Sequence, residues 1–450
     1  MRTVIAILAG GRGERLWPTS RTRLPKQFLR LIGNETFLQQ AYRRATLLAP
    51  SEDILVATGS AHVPLVQEQL PVLPADQILA EPLSRDTAAS VALATTLAQE
   101  RVGAPVVVAC LPADQVIFDH TAFAEAMHRA MAAAETEACP VLLGVPPTRP
   151  ESNYGYIERG EELQGGLFRV RRFHEKPDLT RAAQYLAQGD FLWNSGIFVC
   201  RSDTLAEALA QHLPQLADSI RQRTGWDPEA LRVVLEHAPR ISLDHGLLER
   251  VERVLVVPVT MAWDDVGNWD ALLRLHPRDD GGNVLRGRVV ASETSGSVIY
   301  GSSSDRLVVT HGLQDMVVVD TADSTLVAAR KALGGLRGAL EAVRASGHGE
   351  YLEAAASLEA TLPALTNNAS SAASVDTLPW SDGSACSLVV RLPADSTFLL
   401  PPNATTCTVL RGGGRIDERV IGLGATQEIR PQAETFFAAD GPSLLLIDLR

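Results

Sequence analysis

The first two-thirds of the chain switch between two hydrophobic periods. Thr3–Ala9 is apolar at successive positions, the pattern of a strand covered on both faces. Phe37–Leu48 has helical spacing, Asp53–Thr58 reads as a strand, and Asp86–Glu100 as an Ala-rich helix. Pro105–Cys110 is a β-branched run, Thr121–Ala134 is helical, and Val141–Val145 is again a strand. Strand and helix in turn predict crossover units, hence an α/β fold with a mainly parallel sheet between two helical layers. Ligands in such sheets bind beyond the carboxyl ends of the strands. Gly10–Arg15, Leu111–Asp114 and Trp263–Asp265 are the segments expected at such ends.

After about Pro277 the period shortens. Arg288–Ala291, Ser297–Tyr300 and Met316–Val319 are short strand-like pieces in a Gly- and Val-rich stretch, which suggests a small β-unit such as a short β-helix. Lys331–Ala345 is helical in pattern. Thr366–Asp376 is a polar, low-complexity connector, and Ala385–Arg450 is strand-like throughout. The expected organisation is a first domain over 1–277, a β-unit with trailing helix over 278–345, a linker over 346–382, and a β-rich domain over 383–450.

Composition narrows the function classes. The 450 residues, 46% hydrophobic, can build two or three domains. A net charge of −12 argues against a nucleic-acid partner, which needs a basic face. Cys110, Cys139, Cys200, Cys386 and Cys407 are scattered and contain no CxxC pair, so a reducing, cytoplasmic setting is expected. The apolar run Val4–Ala9 is too short for a signal peptide, and no stretch is long enough to cross a bilayer.

The densest chemistry follows the first strand. Leu8-Ala9-Gly10-Gly11-Arg12-Gly13 continues into Glu14-Arg15-Leu16-Trp17-Pro18-Thr19-Ser20-Arg21, and Leu24-Pro25-Lys26-Gln27 comes next. Glycines after a strand let the backbone approach a polyphosphate, and Arg15 and Lys26 are spaced to neutralise it. The loop is neither a Walker loop nor a dinucleotide fingerprint, because no GK[ST] or GxGxxG is present in it. A GxG alone would be read as an ordinary strand-to-helix turn; the joint pattern carries the signal.

This pattern resembles the sugar-nucleotide pyrophosphorylases, and RLWP–SR–PKQF is similar to their mannose-1-phosphate guanylyltransferase branch. The resemblance continues through Glu81-Pro-Leu-Ser-Arg-Asp-Thr, Leu111-Pro-Ala-Asp, Thr148-Arg-Pro, Tyr154-Gly-Tyr-Ile, Glu175-Lys-Pro, Trp193-Asn-Ser-Gly-Ile-Phe, Ile241-Ser-Leu-Asp, Trp263-Asp-Asp-Val-Gly-Asn-Trp, Asn283-Val and Val317-Val-Val-Asp-Thr. It spans roughly residues 1–335 in family order. It implies a Rossmann-like nucleotidyltransferase domain followed by a small β-helix-like unit and a C-terminal β-rich, degenerate cupin-like domain.

The resemblance implies roles residue by residue. Arg15 and Lys26 would be catalytic. Leu8, Ala9, Gly10, Gly11, Gly13, Arg85 and Asp86 would bind the nucleotide, and Gly155, Glu175, Lys176 and Asn194 the sugar phosphate. Asp114 and Asp265 would hold Mg²⁺ or another divalent cation, since Mg²⁺ takes hard oxygen ligands and shares them with phosphates. Asp264 is an alternative carboxylate. Either Asp alone would be read as a cap or turn residue, and Asp86 is balanced between accepting from a guanine edge and capping the helix at Thr87. Tyr154 and Trp193 are expected as pocket wall or core, and His174 as a strand residue.

The implied reaction joins GTP and mannose 1-phosphate into GDP-mannose and pyrophosphate without a covalent enzyme intermediate. Another sugar or base, or a non-catalytic nucleotide-sugar sensor, are the alternatives. The expected partners are GTP and mannose 1-phosphate, with no nucleic acid and no membrane, and a homodimer is the candidate assembly. Longer relatives carry a C-terminal phosphomannose isomerase that uses His and Glu metal ligands. Here the last histidine is His348, so no isomerase activity is expected.

Overall fold

The computed structural model describes residues 1–11, 13–302 and 306–353 in full, and beyond them the backbone of strands between 374 and 449. The chain divides into two compact units. One comprises Met1–Leu16 and Arg23–Ala271, the other Trp17–Thr22 and Leu272–Arg450.

The main strands of the first unit are β1 (Thr3–Ala9), β2 (Ile54–Gly59), β3 (Ile78–Glu81), β4 (Val107–Pro112), β6 (Val141–Val145), β7 (Tyr156–Leu163), β8 (Leu167–His174), β9 (Phe191–Arg201) and β10 (Leu255–Pro258). They form one nine-stranded sheet in the order β3-β2-β1-β4-β9-β6-β10-β8-β7. A separate ribbon pairs β5 (Val116–Ile117) with β11 (Trp263–Asp264). Helices α1 (Phe37–Ala45), α2 (Val63–Gln69), α3 (Thr87–Val102), α4 (His120–Glu137), α5 (Leu179–Gln188), α6 (Ser202–His212), α7 (Pro214–Arg221) and α8 (Pro228–His237) cover the faces.

Two hydrophobic clusters explain the doubly apolar strands. Ile5 and Ile7 of β1 pack with Leu38, Val66, Phe123 and Met127 of α1, α2 and α4, whereas Val4 and Ala6 pack with Val91, Leu205, Leu216 and Val234 of α3, α6, α7 and α8. Helix starts and stops follow local chemistry. Thr36 and Gln39 form a reciprocal capping box on α1, and Gly103 in the left-handed region closes α3.

The sheet departs from the mainly parallel arrangement that the alternation suggests. β1 pairs in parallel with β2 and β4, as do β2 with β3 and β6 with β10. The long strand β9 runs antiparallel to both β4 and β6, and β8 runs antiparallel to both β7 and β10. Two glycines at the turn between β7 and β8, Gly165 and Gly166, both have positive φ, so those strands close as a hairpin. The sheet is therefore mixed.

The second unit contains β12 (Val284–Arg286), β13 (Val289–Ser292), β14 (Val298–Gly301), β15 (Val308–His311), β16 (Met316–Asp320) and β17 (Thr325–Ala329). β12, β14 and β16 stack in parallel, β13 pairs in parallel with β15, and β17 closes the larger sheet antiparallel to β16. Successive coils of a short β-helix give this pattern. Buried Asn283 satisfies both ends of its amide between coils, donating to Thr294 O at 2.8 Å and accepting from Ser297 N at 2.9 Å. A helix follows at Leu336–Ala345.

Further along lie β18 (Ser374–Pro379), β19 (Cys386–Leu392), β20 (Thr397–Leu399), β21 (Ala404–Arg411), β22 (Gly414–Ile416), β23 (Arg419–Ile421), β24 (Thr426–Glu428), β25 (Phe436–Ala439) and β26 (Ser443–Leu449). They make two antiparallel sheets ordered β18-β19-β26-β21-β24 and β20-β25-β22-β23. The region beyond Ala385 is thus β-rich, in line with its pattern. Residues 366–373 of the expected connector lie outside the described residues, as do the side chains on which the isomerase expectation rests. Among the described residues, no helix is long and apolar enough to cross a membrane.

Candidate active site

Beyond the carboxyl ends of β1 and β4, three sequence-distant segments converge. The loop after β1 carries Arg15, the 3-10 turn Lys26–Phe28 carries Lys26, and Asp114 follows β4. Asp265 follows the two-residue β11 and not a strand of the main sheet. The pairing of Asp264 with Val116 brings it beside Asp114, so the ribbon takes the place expected of a sheet strand.

Lys26 is the hinge of this cluster. Its side chain is buried, and its ammonium donates to Asp114 Oδ2 at 2.9 Å and to the carbonyl oxygen of Asp265. Gly13 explains the close approach: a Cβ there would stand 2.4 Å from Lys26 Cβ, and its φ of +59° is unfavourable for other residues. Gln27 ties the glycine loop down by donating to Ala9 O at 2.9 Å. Arg15 donates to Asn153 Oδ1 at 3.1 Å.

Asp265 and Asp264 face different ways. Asp265 Oδ1 accepts from the Tyr154 hydroxyl at 2.6 Å and from Gly267 N at 3.1 Å. Asp264 caps Val266 N at 2.8 Å and pairs with Arg149 at 3.7 Å. Asp265 meets Lys26 through its backbone carbonyl, and Asp264 is held by Val266 N and Arg149. Burial pushes the Asp265 carboxyl up; Lys26 and the Tyr154 hydrogen bond oppose this, and Asp264 and Asp114 add to it. A divalent cation would favour the ionised form, and Asp114, with 40% of its side chain exposed, is open to one. Among the described residues, no three His, Cys, Asp or Glu side chains are grouped to hold a metal. Two carboxylates are hard oxygen donors of the kind that Mg²⁺ takes alongside phosphate oxygens.

Tyr154 is more than the pocket wall expected of it. Its ring packs edge-on against Trp193 and Trp263, and Arg149 donates to its oxygen at 3.2 Å. Arg149 also lies over the Trp193 ring, 4.9 Å from its centre. Burial, with the Asp265 and Asp264 charges behind it, pushes the Tyr154 hydroxyl up, so it stays a donor. Arg149 and Tyr154 both stand in the quoted motifs, but only the fold reveals that one supports the other.

A second cluster gathers around Gly155. Its carbonyl accepts from Asn194 N at 2.8 Å, and a Cβ on it would lie 2.8 Å from Glu175 Oε2. Asn194 Nδ2 donates to Asp244 Oδ1 at 3.0 Å. Lys176 pairs with the neighbouring Glu175 carboxylate and is 60% exposed in its side chain. Gly155, Glu175, Lys176 and Asn194 are thus brought together, and Asp244 joins them. Burial, then the Glu175 charge, push Asp244 up to about 6. The signal for it is the Ile241-Ser-Leu-Asp motif.

The loop after β3 carries the third set. Asp86 accepts from Thr87 N at 2.8 Å and so caps α3, and Arg85 donates to Leu235 O at 2.6 Å. Thr87 Oγ1 accepts from Leu243 N at 2.9 Å, which links this loop to the segment bearing Asp244. Glu81, at the carboxyl end of β3 in register with Gly59, has no role that its motif reveals. Burial pushes its carboxyl up to about 7 against a hydrogen bond from Ser90, and among the described residues its buried Oε1 has no hydrogen-bond partner. His174 is a strand residue, bonded to Tyr185 at 3.2 Å. Cys110, Cys139 and Cys200 are buried free thiols; burial pushes Cys110 up to about 12, so they are poor nucleophiles.

The nucleotidyl transferase family matches residues 4–280, and the MannoseP isomerase/GMP-like beta-helix domain matches residues 287–332. Similar proteins include alginate biosynthesis protein AlgA of Pseudomonas putida, 38% identical over 74% of this chain and 69% of its own. Mannose-1-phosphate guanylyltransferase of Escherichia coli is 37% identical over 77% of this chain and 74% of its own. The crystal structure called mannose-1-phosphate geranyltransferase from Thermus thermophilus superposes with a TM-score of 0.69 at 36% identity, covering 76% of this chain and 100% of that one. The matched segments contain the glycine loop, both aspartates and the β-helix, so the chain belongs to the mannose-1-phosphate guanylyltransferase family of nucleotidyl transferases and is an enzyme of that class.

Proposed function

We propose that this chain transfers GMP from GTP to α-D-mannose 1-phosphate, giving GDP-mannose and pyrophosphate. The observation that carries the reading is Lys26 bridging Asp114 and Asp265 beneath the glycine loop. A phosphate oxygen of the sugar 1-phosphate attacks the α-phosphorus of GTP, and the bond to pyrophosphate breaks. Two polyanions must meet, so the main tasks are charge neutralisation and in-line positioning.

Leu8, Ala9, Gly10, Gly11 and Gly13 offer backbone to the nucleotide phosphates. Arg15 neutralises the transferring and leaving phosphates, and Lys26 holds a phosphate oxygen while tying the two aspartates together. A divalent cation on Asp114 and Asp265 supplies further charge neutralisation when bound. Glu175, Asn194 and Asp244 accept from or donate to sugar hydroxyls, Gly155 permits close approach, and Lys176 receives the sugar phosphate.

At the base, Arg85 and Asp86 shape the loop. Asp86 is exposed and caps α3 through Oδ1; through its other oxygen it accepts from guanine N1–H and the exocyclic amine. Product identity after incubation with GTP, mannose 1-phosphate and Mg²⁺ tests the reading, and absence of GDP-mannose would reject it. Replacing GTP with ITP, which lacks the exocyclic amine, tests the base: Asp86→Asn should narrow the preference for GTP over ITP by about tenfold, near the value of one hydrogen bond to a charged group.

A further inference from the structure

The middle of the signature loop is structurally a part of the second unit. The chain leaves the first unit at Leu16, spends Trp17–Thr22 in the second, and re-enters the first at Arg23. Arg15 stands just before this excursion and Lys26 just after it. The transfer reaction uses none of residues 17–22 directly, although they carry much of the motif.

The second unit holds this strap through Arg21. The Arg21 and Asp323 side chains are 2% and 5% exposed, and Arg21 donates to Asp323 Oδ1 at 2.7 Å and to Ser324 Oγ at 2.8 Å. The same guanidinium donates to Pro18 O at 2.6 Å and to the carbonyl of Tyr351. Trp17 Nε1 donates to Tyr351 O at 3.0 Å, and Thr22 N donates to Leu352 O at 2.9 Å. Asp323 is itself set in the turn between β16 and β17, where its carboxylate accepts from Thr321 and Ser324 hydroxyls at 2.9 and 3.0 Å. That turn follows directly on the Val317-Val-Val-Asp-Thr motif, so the first motif meets the end of a second, far along the chain, at one buried ion pair.

A buried charge pair is weak evidence for stability, because removing two charges from water costs about as much as their attraction returns. Planar Arg with several donors in fixed directions is instead suited to holding backbone in one geometry. We propose that Arg21, paired with Asp323, is a positioning residue for the transfer reaction: it fixes the path of residues 17–22 and thereby the spacing of Arg15 and Lys26 at the two ends of that path. The proposal rests on the guanylyl-transfer reading for its kinetic test only.

The test uses the full chain and the variant Arg21→Met/Asp323→Leu, which removes both charges and leaves apolar volume. A misplacement of about 1 Å in a reacting group costs about 100-fold in rate, so kcat should fall by that order while KM for GTP moves less than about threefold. Arg21→Lys, which keeps the charge but not the fork of donors, should recover only part of kcat. If the double variant does not fold, Trp17→Phe, which deletes one bond to Tyr351, and Arg21→Lys carry the test alone. Unchanged kcat in a folded double variant, or in both milder variants, overturns the proposal. A wild-type chain inactive with GTP and mannose 1-phosphate would reject the substrate reading but not the strap. Amide exchange at residues 14–16 and 26–28 then decides: faster exchange in the variants supports the positioning role, and unchanged exchange overturns it.

Discussion

The two polar clusters of the first unit are built on opposite principles. Around Lys26, charges are balanced: one buried ammonium lies against Asp114 and the Asp265 backbone, and Tyr154 and Arg149 support Asp265 and Asp264 from behind. Around Gly155, anionic and amide groups predominate, with Glu175, Asp244 and Asn194 close together and the Lys176 ammonium largely exposed. The first arrangement suits polyphosphate, whose charge must be matched. The second suits sugar hydroxyls, which need directed acceptors and donors more than charge. Burial raises both carboxyls, Asp265 against Lys26 and the Tyr154 hydroxyl, and Asp244 against the Asn194 amide and Lys176.

That contrast can be broken by substitution. The largest effect is expected at the balanced cluster. Lys26→Ala leaves two carboxylates repelling each other and the phosphates, and kcat/KM for GTP should fall on the order of 10³-fold with the circular dichroism spectrum retained. Near-normal turnover by the folded variant would contradict the assignment. Next, Asp265→Asn should lower kcat on the order of 10²-fold and raise the Mg²⁺ concentration needed for half-maximal rate, read by metal titration after chelation. Activity insensitive to excess chelator would remove the metal from the account.

Tyr154→Phe sharpens the comparison further. It deletes the donor to Asp265 and keeps the ring packed on Trp193 and Trp263, so the half-saturating Mg²⁺ concentration should rise by roughly tenfold, the worth of a hydrogen bond to a charged group. If only thermal stability changes, the hydroxyl serves packing alone.

The smallest effect belongs to the Gly155 cluster and is a stability effect. The folded pKa of Asp244, about 6, lies above its ordinary 3.8, so the native state binds the extra proton between those values. Its contribution is fully present below about pH 4 and is lost as pH rises through about 6. Asp244→Asn, neutral throughout, should therefore melt higher than the wild type at pH 7.5 by the equivalent of roughly 1–3 kcal/mol, with the advantage gone at about pH 4. Equal melting temperatures at neutral pH would show that the buried charge costs nothing there. Mannose 1-phosphate KM should rise at the same time, since the variant loses an anionic acceptor.

Much of this was legible along the chain because it is local. Period and apolar runs marked β1, β4, β6, α1, α3 and α4 to within a few residues, since each element's burial depends on its own alternation. The glycine loop, Lys26, Asp114 and Asp265 were readable from motif spacing, and the grouping of Gly155, Glu175, Lys176 and Asn194 followed from the family pattern. What tertiary structure decided is what depends on partners distant in sequence. The antiparallel course of β9 was invisible, because a strand's own pattern is the same in either direction. So were the different surroundings of adjacent, chemically identical side chains, with Asp265 meeting the Tyr154 hydroxyl and Asp264 meeting Val266 N. Asp86 could cap or bind on sequence grounds, and the fold shows that one of its oxygens bonds Thr87 N. Glu81 and Arg21 looked like motif letters until burial left one oxygen of the first without a partner and gave the second a carboxylate 302 positions away. Residue types and spacings are properties of the chain; desolvation and convergence exist only once distant segments have met.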